Sequence, residues 1–214
     1  MRPAGEKEGL WLVDKPVGVS SFAMVSRLRK VTGIRKVGHT GTLDPLASGL
    51  MILLAGKEWT KRADEFIKKD KVYEVELRLG EASTTGDSEG SISQVSDARP
   101  SSVDVRKTLA SFVGTIEQIP PVYSAIKVDG VRAYKLARQG KMPELKAREV
   151  KIYSIDEVIY DYPEIKFTTK VSSGTYIRSL VEDIGRALAT GAYMTALKRT
   201  QIGEHRLEQA TQLD

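Results

Sequence analysis

Stretches in which apolar and polar residues alternate with a period of two predict the β-strands of this chain. The clearest alternation covers Lys71–Leu79, and residues 151–158 and 165–171 are also rich in β-forming side chains. The apolar run LMILLA at 50–55 is far shorter than the roughly 18 to 20 residues that span a bilayer. We therefore predict a buried strand there and no membrane segment.

Helices are predicted where apolar residues recur three and four positions apart. The first is predicted to begin at Ser20 or Ser21 and to end near Val31, because a serine that follows a Pro/Gly loop is a good N-cap. Residues 103–112 show the same spacing. Residues 179–189 share it, with an apolar face formed by Leu180, Val181, Ile184 and Leu188.

Irregular interleaving of these strands and helices predicts an α+β fold, with a mixed, largely antiparallel sheet and peripheral helices. Residues 83–102 are rich in Gly, Ser, Thr and Asp and are predicted to form a surface loop. No internal repeat or low-complexity tract divides the chain. We therefore expect a single domain over residues 1–214.

Composition excludes several kinds of chemistry. The absence of cysteine rules out disulfides, thiolate nucleophiles and cysteine-bound metals, and His39 and His205 alone cannot form a histidine metal cage. The 33 basic and 28 acidic residues give a formal charge of +5, which fits an RNA-binding protein and an ordinary basic protein equally. Because the N-terminus lacks the apolar core of a secretory signal, we expect a cytoplasmic protein.

Asp44 is the only formally charged residue in the segment VGHTGTLDPLASGLMILLAG at 37–56. An ionised carboxylate in apolar surroundings is costly unless a cation or several hydrogen-bond donors stabilise it. Two interpretations stay open from this segment alone. Asp44 either caps a turn before Pro45 or serves as a catalytic group. A phosphate-binding Walker loop is excluded, because Met51 stands where its first glycine is needed.

Several separate blocks of sequence resemble the bacterial tRNA pseudouridine synthase B (TruB) family, whose members modify uridine 55 in the T-loop of tRNA. The blocks follow the order of the family from near the start of the chain almost to its end. They are DKPVGVSS at 14–21, KVGHTGTLDPLASGLM at 36–51, KVYEVELRLG at 71–80, QIPPVYSAIKVDGVRAY at 118–134 and SSGTYIRSLVEDIG at 172–185.

This resemblance implies roles for individual residues. Asp44 matches the catalytic aspartate, which acts at the ribose to allow C–N cleavage, rotation of the base and C–C reattachment. Arg178 matches the arginine that pairs with this aspartate, and Tyr73 matches the aromatic residue that stacks on the flipped base. His39 matches the residue that fills the space left in the T-loop. Further pocket positions are matched by Lys15, Tyr176 and Leu197.

A basic segment between Tyr123 and Lys151 resembles the family's inserted loop around residues 120–150, which closes over the T-loop. Eight basic and three acidic residues occur there, interleaved with tyrosines. This mixture suits a flexible arm that contacts RNA phosphates and bases, although a solvated surface would look similar. The basic residues are Lys127, Arg132, Lys135, Arg138, Lys141, Lys146, Arg148 and Lys151.

Two features depart from the family pattern. Relatives carry Thr-Asp-Thr where this chain has Ser83-Thr84-Thr85 ahead of Asp87, so one carboxylate is missing from the expected surface loop. The printed chain ends at Asp214, soon after LKRTQIG. We therefore expect that it lacks the C-terminal PUA-like RNA-binding domain that is common in the family.

The resemblance implies an isomerase that converts the T-loop uridine of tRNA to pseudouridine. Because the reaction has no redox or phosphoryl step, neither a cofactor nor a metal is implied. The expected partner is the T-arm stem-loop of tRNA, with no obligate protein partner and a monomeric state. Two alternatives stay open: a tRNA-binding or tRNA-folding chaperone with secondary catalysis, and an aspartate-dependent hydrolase of small molecules.

Overall fold

The computed structural model describes residues 7–122, 124, 127–128, 130–133, 136, 139–141, 143 and 145–213. Ten residues of the basic segment between Tyr123 and Lys151 lie outside this part of the chain, among them Tyr123, Tyr134, Lys135 and Arg138. Among the described residues, no helix is long and apolar enough to cross a membrane.

Strands and helices are interleaved irregularly along the described residues, and the predicted α+β class is confirmed. The strands are β1 Gly9–Lys15, β2 Val37–His39, β3 Ser48–Ala55, β4 Lys71–Leu79, β5 Glu81–Ser83, β6 Ile92–Gln94, β7 Gly114–Gln118, β8 Lys127–Val128, β9 Val131–Arg132, β10 Arg148–Asp161, β11 Glu164–Val171, β12 Ala192–Ile202, β13 His205–Arg206 and β14 Thr211–Gln212. The α-helices are α1 Ser21–Thr32, α2 Lys57–Lys61, α3 Ala63–Ile67, α4 Ser102–Ser111 and α5 Ile177–Ala187.

Helix α1 has sequence-encoded signals at both ends. Ser20 is its N-cap, and the Ser20 hydroxyl accepts a hydrogen bond of 3.1 Å from the backbone N–H of Ala23. Gly33 ends the helix in a left-handed conformation with φ of 75°, which glycine adopts at little cost. The predicted serine start of this helix is confirmed.

The described chain forms two compact units, of which the first contains the residues up to Glu74 and from Ala196 onward. Within it, β1 and β3 pair antiparallel, whereas β14 is parallel to β1 and the end of β12 is parallel to β3. The sheet is therefore mixed, as predicted. One hydrophobic cluster of this unit joins Leu50, Ile52 and Leu54 of β3 with Phe66 of α3 and Ile202 of β12.

The second unit extends from Val75 to Thr195. Strand β10 pairs antiparallel with β7 on one side and with β11 on the other, and β11 neighbours β4. Helices α4 and α5 bury apolar side chains in this unit, among them Val105, Leu109, Leu180 and Ile184. The expectation of a single domain over residues 1–214 stays a prediction.

The prediction of a surface loop over residues 83–102 is wrong in two respects. Strand β6 lies within this range and pairs with β5. Asp87 is only 2% exposed, and its backbone forms a parallel bridge with Met194. The polar composition of this stretch therefore reflects hydrogen bonds made inside the unit as well as exposure to water.

Candidate active site

Asp44 lies on the loop that connects β2 with β3 in the first unit. The loop is closed at its base by a hydrogen bond of 3.1 Å from the backbone N–H of Thr40 to the carbonyl of Ile52. Asp44 itself begins a tight turn, since its carbonyl accepts a hydrogen bond of 3.1 Å from the N–H of Ala47. Its side chain is half-buried.

The two neighbours of Asp44 are both fixed by residues of the DKPVGVSS block. The hydroxyl of Ser21 donates to the carbonyl of Leu43 at 2.7 Å and accepts from the N–H of Leu43 at 2.8 Å. On the other side of Asp44, the N–H of Gly18 donates to the carbonyl of Pro45 at 2.8 Å. The backbone that carries the carboxylate is therefore anchored immediately before and immediately after it.

Lys15 contributes to the same anchorage from a fully buried position. Its ammonium donates to the carbonyls of Val19 at 2.6 Å, Pro16 at 2.9 Å and Pro45 at 3.4 Å. The structure thus assigns Lys15 a role in shaping the loop after β1. Its predicted contact with substrate stays a prediction.

Arg199 on β12 is a further cation of this region, and sequence reasoning missed it. The side chain is 2% exposed. Its Nε donates to the carbonyl of Leu50 at 2.8 Å and its Nη2 donates to the carbonyl of Gly41 at 3.2 Å. These two carbonyls flank the segment that contains Asp44.

The other pocket residues predicted for the first unit are spread over three strands. His39 is half-buried at the end of β2, directly before the loop that carries Asp44. Tyr73 on β4 is 7% exposed, and Leu197 on β12 is 9% exposed. The structure places His39 and Asp44 on one continuous segment. The contacts of Tyr73 and Leu197 with a substrate stay predictions.

Arg178 lies in the second unit, at the second residue of α5, and is 7% exposed. Its Nη1 donates to the carbonyl of Thr85 at 3.0 Å and lies 3.6 Å from Oδ2 of Asp87. Asp87 is oriented in turn by the hydroxyl of Thr85 at 2.6 Å and by the N–H of Glu89 at 3.1 Å. The predicted pairing of Arg178 with Asp44 stays a prediction.

Glu182 adds a second carboxyl group beside Arg178, one turn further along α5. Burial, followed by the nearby negative charge of Asp183, raises the pKa of the Glu182 carboxyl above its ordinary value, and the Arg178 charge opposes this shift. A Cβ atom on Gly86 would lie 2.8 Å from Oε1 of Glu182. Arg178 therefore lies near two acidic side chains, Asp87 and Glu182, in a closely packed part of this unit.

Tyr176, the N-cap residue of α5, is fastened by a side chain that the sequence reasoning did not single out. The amide of Gln118 accepts from the N–H of Tyr176 at 2.7 Å and donates to its carbonyl at 3.0 Å. Gln118 is 1% exposed. Its only sequence signal is its place at the start of the QIPPVYSAIKVDGVRAY block.

Lys127 and Arg132, the two predicted substrate contacts in the basic segment, lie on the short strands β8 and β9. They are register partners in an antiparallel pair, Lys127 opposite Arg132. The backbone thus places both residues at the same level of one hairpin. Their predicted contacts with RNA stay predictions.

Two solved structures share this fold. The chain is similar to a chain of a Cbf5–Nop10–Gar1 complex, with 28% identity and a TM-score of 0.75, over 97% of this chain and 53% of that one. It is also similar to a chain of an H/ACA RNP bound to a substrate RNA containing 2′-deoxyuridine, with 25% identity and a TM-score of 0.72, over 97% of this chain and 51% of that one. Both likenesses confirm the α+β fold class.

Two parts of the chain match known protein families, and these matches define the class of protein. Residues 29–177 match the description "TruB family pseudouridylate synthase (N terminal domain)", and residues 178–214 match "tRNA pseudouridylate synthase B C-terminal domain". The chain belongs to the TruB family of pseudouridylate synthases, and the predicted enzyme class, an isomerase, is confirmed.

Curated relatives agree with this assignment. The chain is 46% identical over 207 residues to tRNA pseudouridine synthase B of Burkholderia pseudomallei (strain 668), covering 97% of this chain and 68% of the relative. It is 45% identical over 206 residues to the protein of the same name from Clostridium novyi (strain NT), covering 96% of this chain and 71% of the relative. The chain thus spans about two thirds of the length of these relatives.

Proposed function

We propose that this chain is a tRNA pseudouridine synthase that isomerises uridine 55 of the T-loop, with Asp44 as its catalytic carboxylate. One observation carries the proposal. Asp44 is half-buried between two residues, Leu43 and Pro45, whose backbone groups are bonded to Ser21 and Gly18. Such anchorage suits a reaction that needs one carboxylate held in place. The names of the relatives support tRNA as the substrate.

The proposed reaction needs only a rearrangement of bonds within one nucleotide. The bond between N1 of uracil and C1′ of the ribose breaks, the base rotates, and a bond forms between C5 and C1′. C5 loses a proton and N1 gains one, so the product is an isomer of the substrate. Asp44 acts at the ribose, either by attacking it or by removing a proton, and no co-reactant is consumed.

Arg178 is proposed to pair with Asp44 and to keep its carboxylate ionised and oriented. Support comes from the surroundings of Arg178 in its own unit. The carbonyl of Thr85 and the carboxylate of Asp87 already restrict the guanidinium. A restricted guanidinium loses little side-chain entropy when it pairs with a second carboxylate.

The remaining predicted residues are proposed to bind the substrate. Tyr73 stacks on the flipped uracil, and His39 occupies the space that the uridine leaves in the T-loop. Tyr176 and Leu197 complete the pocket. Support for a role of His39 is its position at the end of β2, directly before the loop that carries Asp44.

Lys127 and Arg132 are proposed to contact RNA phosphates from the hairpin of β8 and β9. Their backbones are register partners in that hairpin, and basic residues close together in the chain suit an RNA backbone with closely spaced phosphates. The T-arm stem-loop is the proposed minimal substrate. A monomeric state in the cytoplasm, without an obligate protein partner, completes the proposal.

The proposed reaction is tested by following the proton that leaves C5. A T-arm stem-loop carrying tritium at C5 of its uridines should release one tritium per molecule to water when incubated with the enzyme. A matched stem-loop with cytidine at position 55 should release none. Release from both stem-loops at equal rates would contradict the assignment of position 55, and release from neither would contradict the activity.

A further inference from the structure

The loop that carries Asp44 is tied at both ends by the side chain of Arg199. The guanidinium donates from Nε to the carbonyl of Leu50 at 2.8 Å and from Nη2 to the carbonyl of Gly41 at 3.2 Å. Gly41 precedes Asp44 by three residues and Leu50 follows it by six. One side chain therefore spans the whole segment between these two carbonyls.

The backbone of Arg199 is also fixed against this loop. Strand β12 is parallel to β3, with Arg199 as the register partner of Gly49. Gly49 has φ of 99°, and a Cβ atom there would lie 2.9 Å from the backbone nitrogen of Arg199, closer than real side chains approach. The absence of a side chain at Gly49 thus allows the two backbones to approach closely. The backbone of Arg199 is fixed by its pairing with β3, and its guanidinium is fixed by the two hydrogen bonds.

Stability alone is a weak reason for such a residue. Arg199 is 2% exposed, and burying a charged group costs several kcal/mol, by a rough estimate, before its interactions are counted. Its two bonded partners are neutral backbone carbonyls. A well-packed apolar side chain of similar volume often stabilises a core equally well or better. These costs favour a role of Arg199 in fixing the positions of the two carbonyls over a purely stabilising role.

A second observation shows that the charge of Arg199 has a local cost. Lys71 lies close enough that the Arg199 charge, after burial, is a cause of the lowered pKa of the Lys71 ammonium, which falls to about 8. Two buried cations in one region repel each other. A planar guanidinium donates in two fixed directions, which a single ammonium group reproduces only in part, so an arginine suits this position better than a lysine.

We propose that Arg199 is a positioning residue for pseudouridine formation: it holds the 41–50 segment so that the carboxylate of Asp44 stays in its reactive place. Arg199 acts through the loop and does not touch the substrate. The inference rests on the proposed catalytic role of Asp44. It adds a further support to those of Ser21 and Gly18, which hold the residues next to Asp44.

Two variants of Arg199 and one matched control test the proposal. Arg199→Met removes both hydrogen bonds with little change in volume, and Arg199→Lys keeps the charge but has one nitrogen for two carbonyls. Lys71→Met is the control. Lys71 is also a buried cation that donates to two carbonyls, those of Ile67 and Lys69, and neither lies in the loop.

The first measurement needs no substrate. Hydrogen–deuterium exchange of a peptide covering residues 40–51 should become roughly tenfold faster in Arg199→Met, because local opening no longer breaks two hydrogen bonds. Arg199→Lys should show a smaller increase, and Lys71→Met should match the wild type. Unchanged exchange in both Arg199 variants would overturn the proposal, whether or not the protein makes pseudouridine.

The second measurement separates positioning from binding. The single-turnover rate at saturating tRNA should fall by about a hundredfold in Arg199→Met, since a displacement of roughly 1 Å can cost that much. Arg199→Lys should recover part of the rate. The dissociation constant for tRNA should stay within about threefold of the wild-type value in both variants, because the phosphate contacts are unchanged.

Each outcome has a defined meaning. A rate within threefold of the wild type in Arg199→Met would overturn the proposal, and so would a loss of tRNA affinity equal to the loss of rate. If Arg199→Met does not fold, Arg199→Lys carries both measurements with the same criteria. A wild-type protein that makes no pseudouridine contradicts the proposed function instead, and the exchange experiment then decides the role of Arg199 alone.

Discussion

Arg199 and Arg178 are both buried arginines, but they lie in regions that are held together in different ways. In the first unit, Arg199 joins Ser21 and Gly18 in bonding to neutral backbone groups around Asp44. In the second unit, Arg178 lies beside the carboxylates of Asp87 and Glu182. The contacts of the first region therefore fix the position of the loop that carries Asp44. Those of the second region place a positive charge beside two acidic side chains.

This difference predicts how each region responds to substitution. A region held by hydrogen bonds to backbone groups depends on the positions of its donors and acceptors and is little changed by salt. A region built on buried opposite charges depends on keeping each charge in its orientation. A substitution that removes a side-chain charge but keeps its shape should therefore affect the two units differently from one that keeps the charge but changes the shape.

The largest effect is expected for Asp44→Asn. The amide keeps the shape of the side chain and leaves the bonds to Leu43 and Pro45 intact, so only the chemistry is lost. Single-turnover formation of pseudouridine should fall by roughly a thousandfold or more, with tRNA affinity nearly unchanged. Asp64→Asn, at an exposed position of α3, is the control and should keep wild-type turnover. Near-normal turnover in Asp44→Asn would disprove the catalytic role.

A smaller but severe loss is expected for Arg178→Lys. The charge remains, but the planar fork that contacts Thr85 and Asp87 is lost, so the rate should fall by about a hundredfold. The matched control is Arg186→Lys on the same helix, where an exposed arginine pairs with Asp183. Activity within a factor of two in Arg178→Lys would show that this arginine does not orient the aspartate.

Neutralising basic residues between Tyr123 and Lys151 should weaken tRNA binding and leave the regions around Arg199 and Arg178 intact. With Lys127, Arg132 and Lys135 changed to glutamine together, the slope of log affinity against log salt should flatten by up to about three units. The chemical step should be normal at saturating tRNA. A control with Lys107, Lys166 and Arg186 neutralised should keep the wild-type slope. An unchanged slope in the first triple variant would identify the segment as a solvated surface.

The last effect concerns the stability of the first unit and not its activity. Burial, followed by the Arg199 charge, lowers the pKa of Lys71 to about 8, below its value in the unfolded chain. Between that pKa and about 10.4 the unfolded chain binds the proton that the folded one has lost, so stability rises with pH, by at most about 1.4 kcal/mol per pH unit.

Denaturant unfolding from pH 7 to 11 measures this linkage. The free energy of unfolding of the wild type, minus that of Lys71→Met, should be flat below pH 8 and should rise above it. The subtraction removes other groups that titrate in this range. A difference that stays constant with pH would show that the Lys71 ammonium is not destabilised by burial and by Arg199.

Local patterns were sufficient to predict much of the fold. The period-two alternation at Lys71–Leu79 coincides with β4, and the predicted helix at 103–112 is α4 shifted by one residue. Strand β12 was not predicted, because its inward-facing residues include Arg199 as well as Leu197. A buried arginine interrupts the alternation of apolar and polar residues from which a half-buried strand is predicted.

The candidate site shows a similar limit. Asp44 could be singled out because it is the only formal charge in a long uncharged segment. The roles of Gln118 and Arg199 could not be predicted, because their bonds join residues 58 and up to 158 positions apart. Such contacts depend on the sheet topology, which no local pattern of side chains reveals.

The most direct test of the central claim is a map of pseudouridine at nucleotide resolution. Unmodified tRNA is incubated with the wild-type protein or with Asp44→Asn, and every uridine is then scored for conversion. We predict complete conversion at position 55 by the wild type, no other modified position, and no conversion by Asp44→Asn. Conversion at position 55 by both proteins, or by neither, would contradict the account.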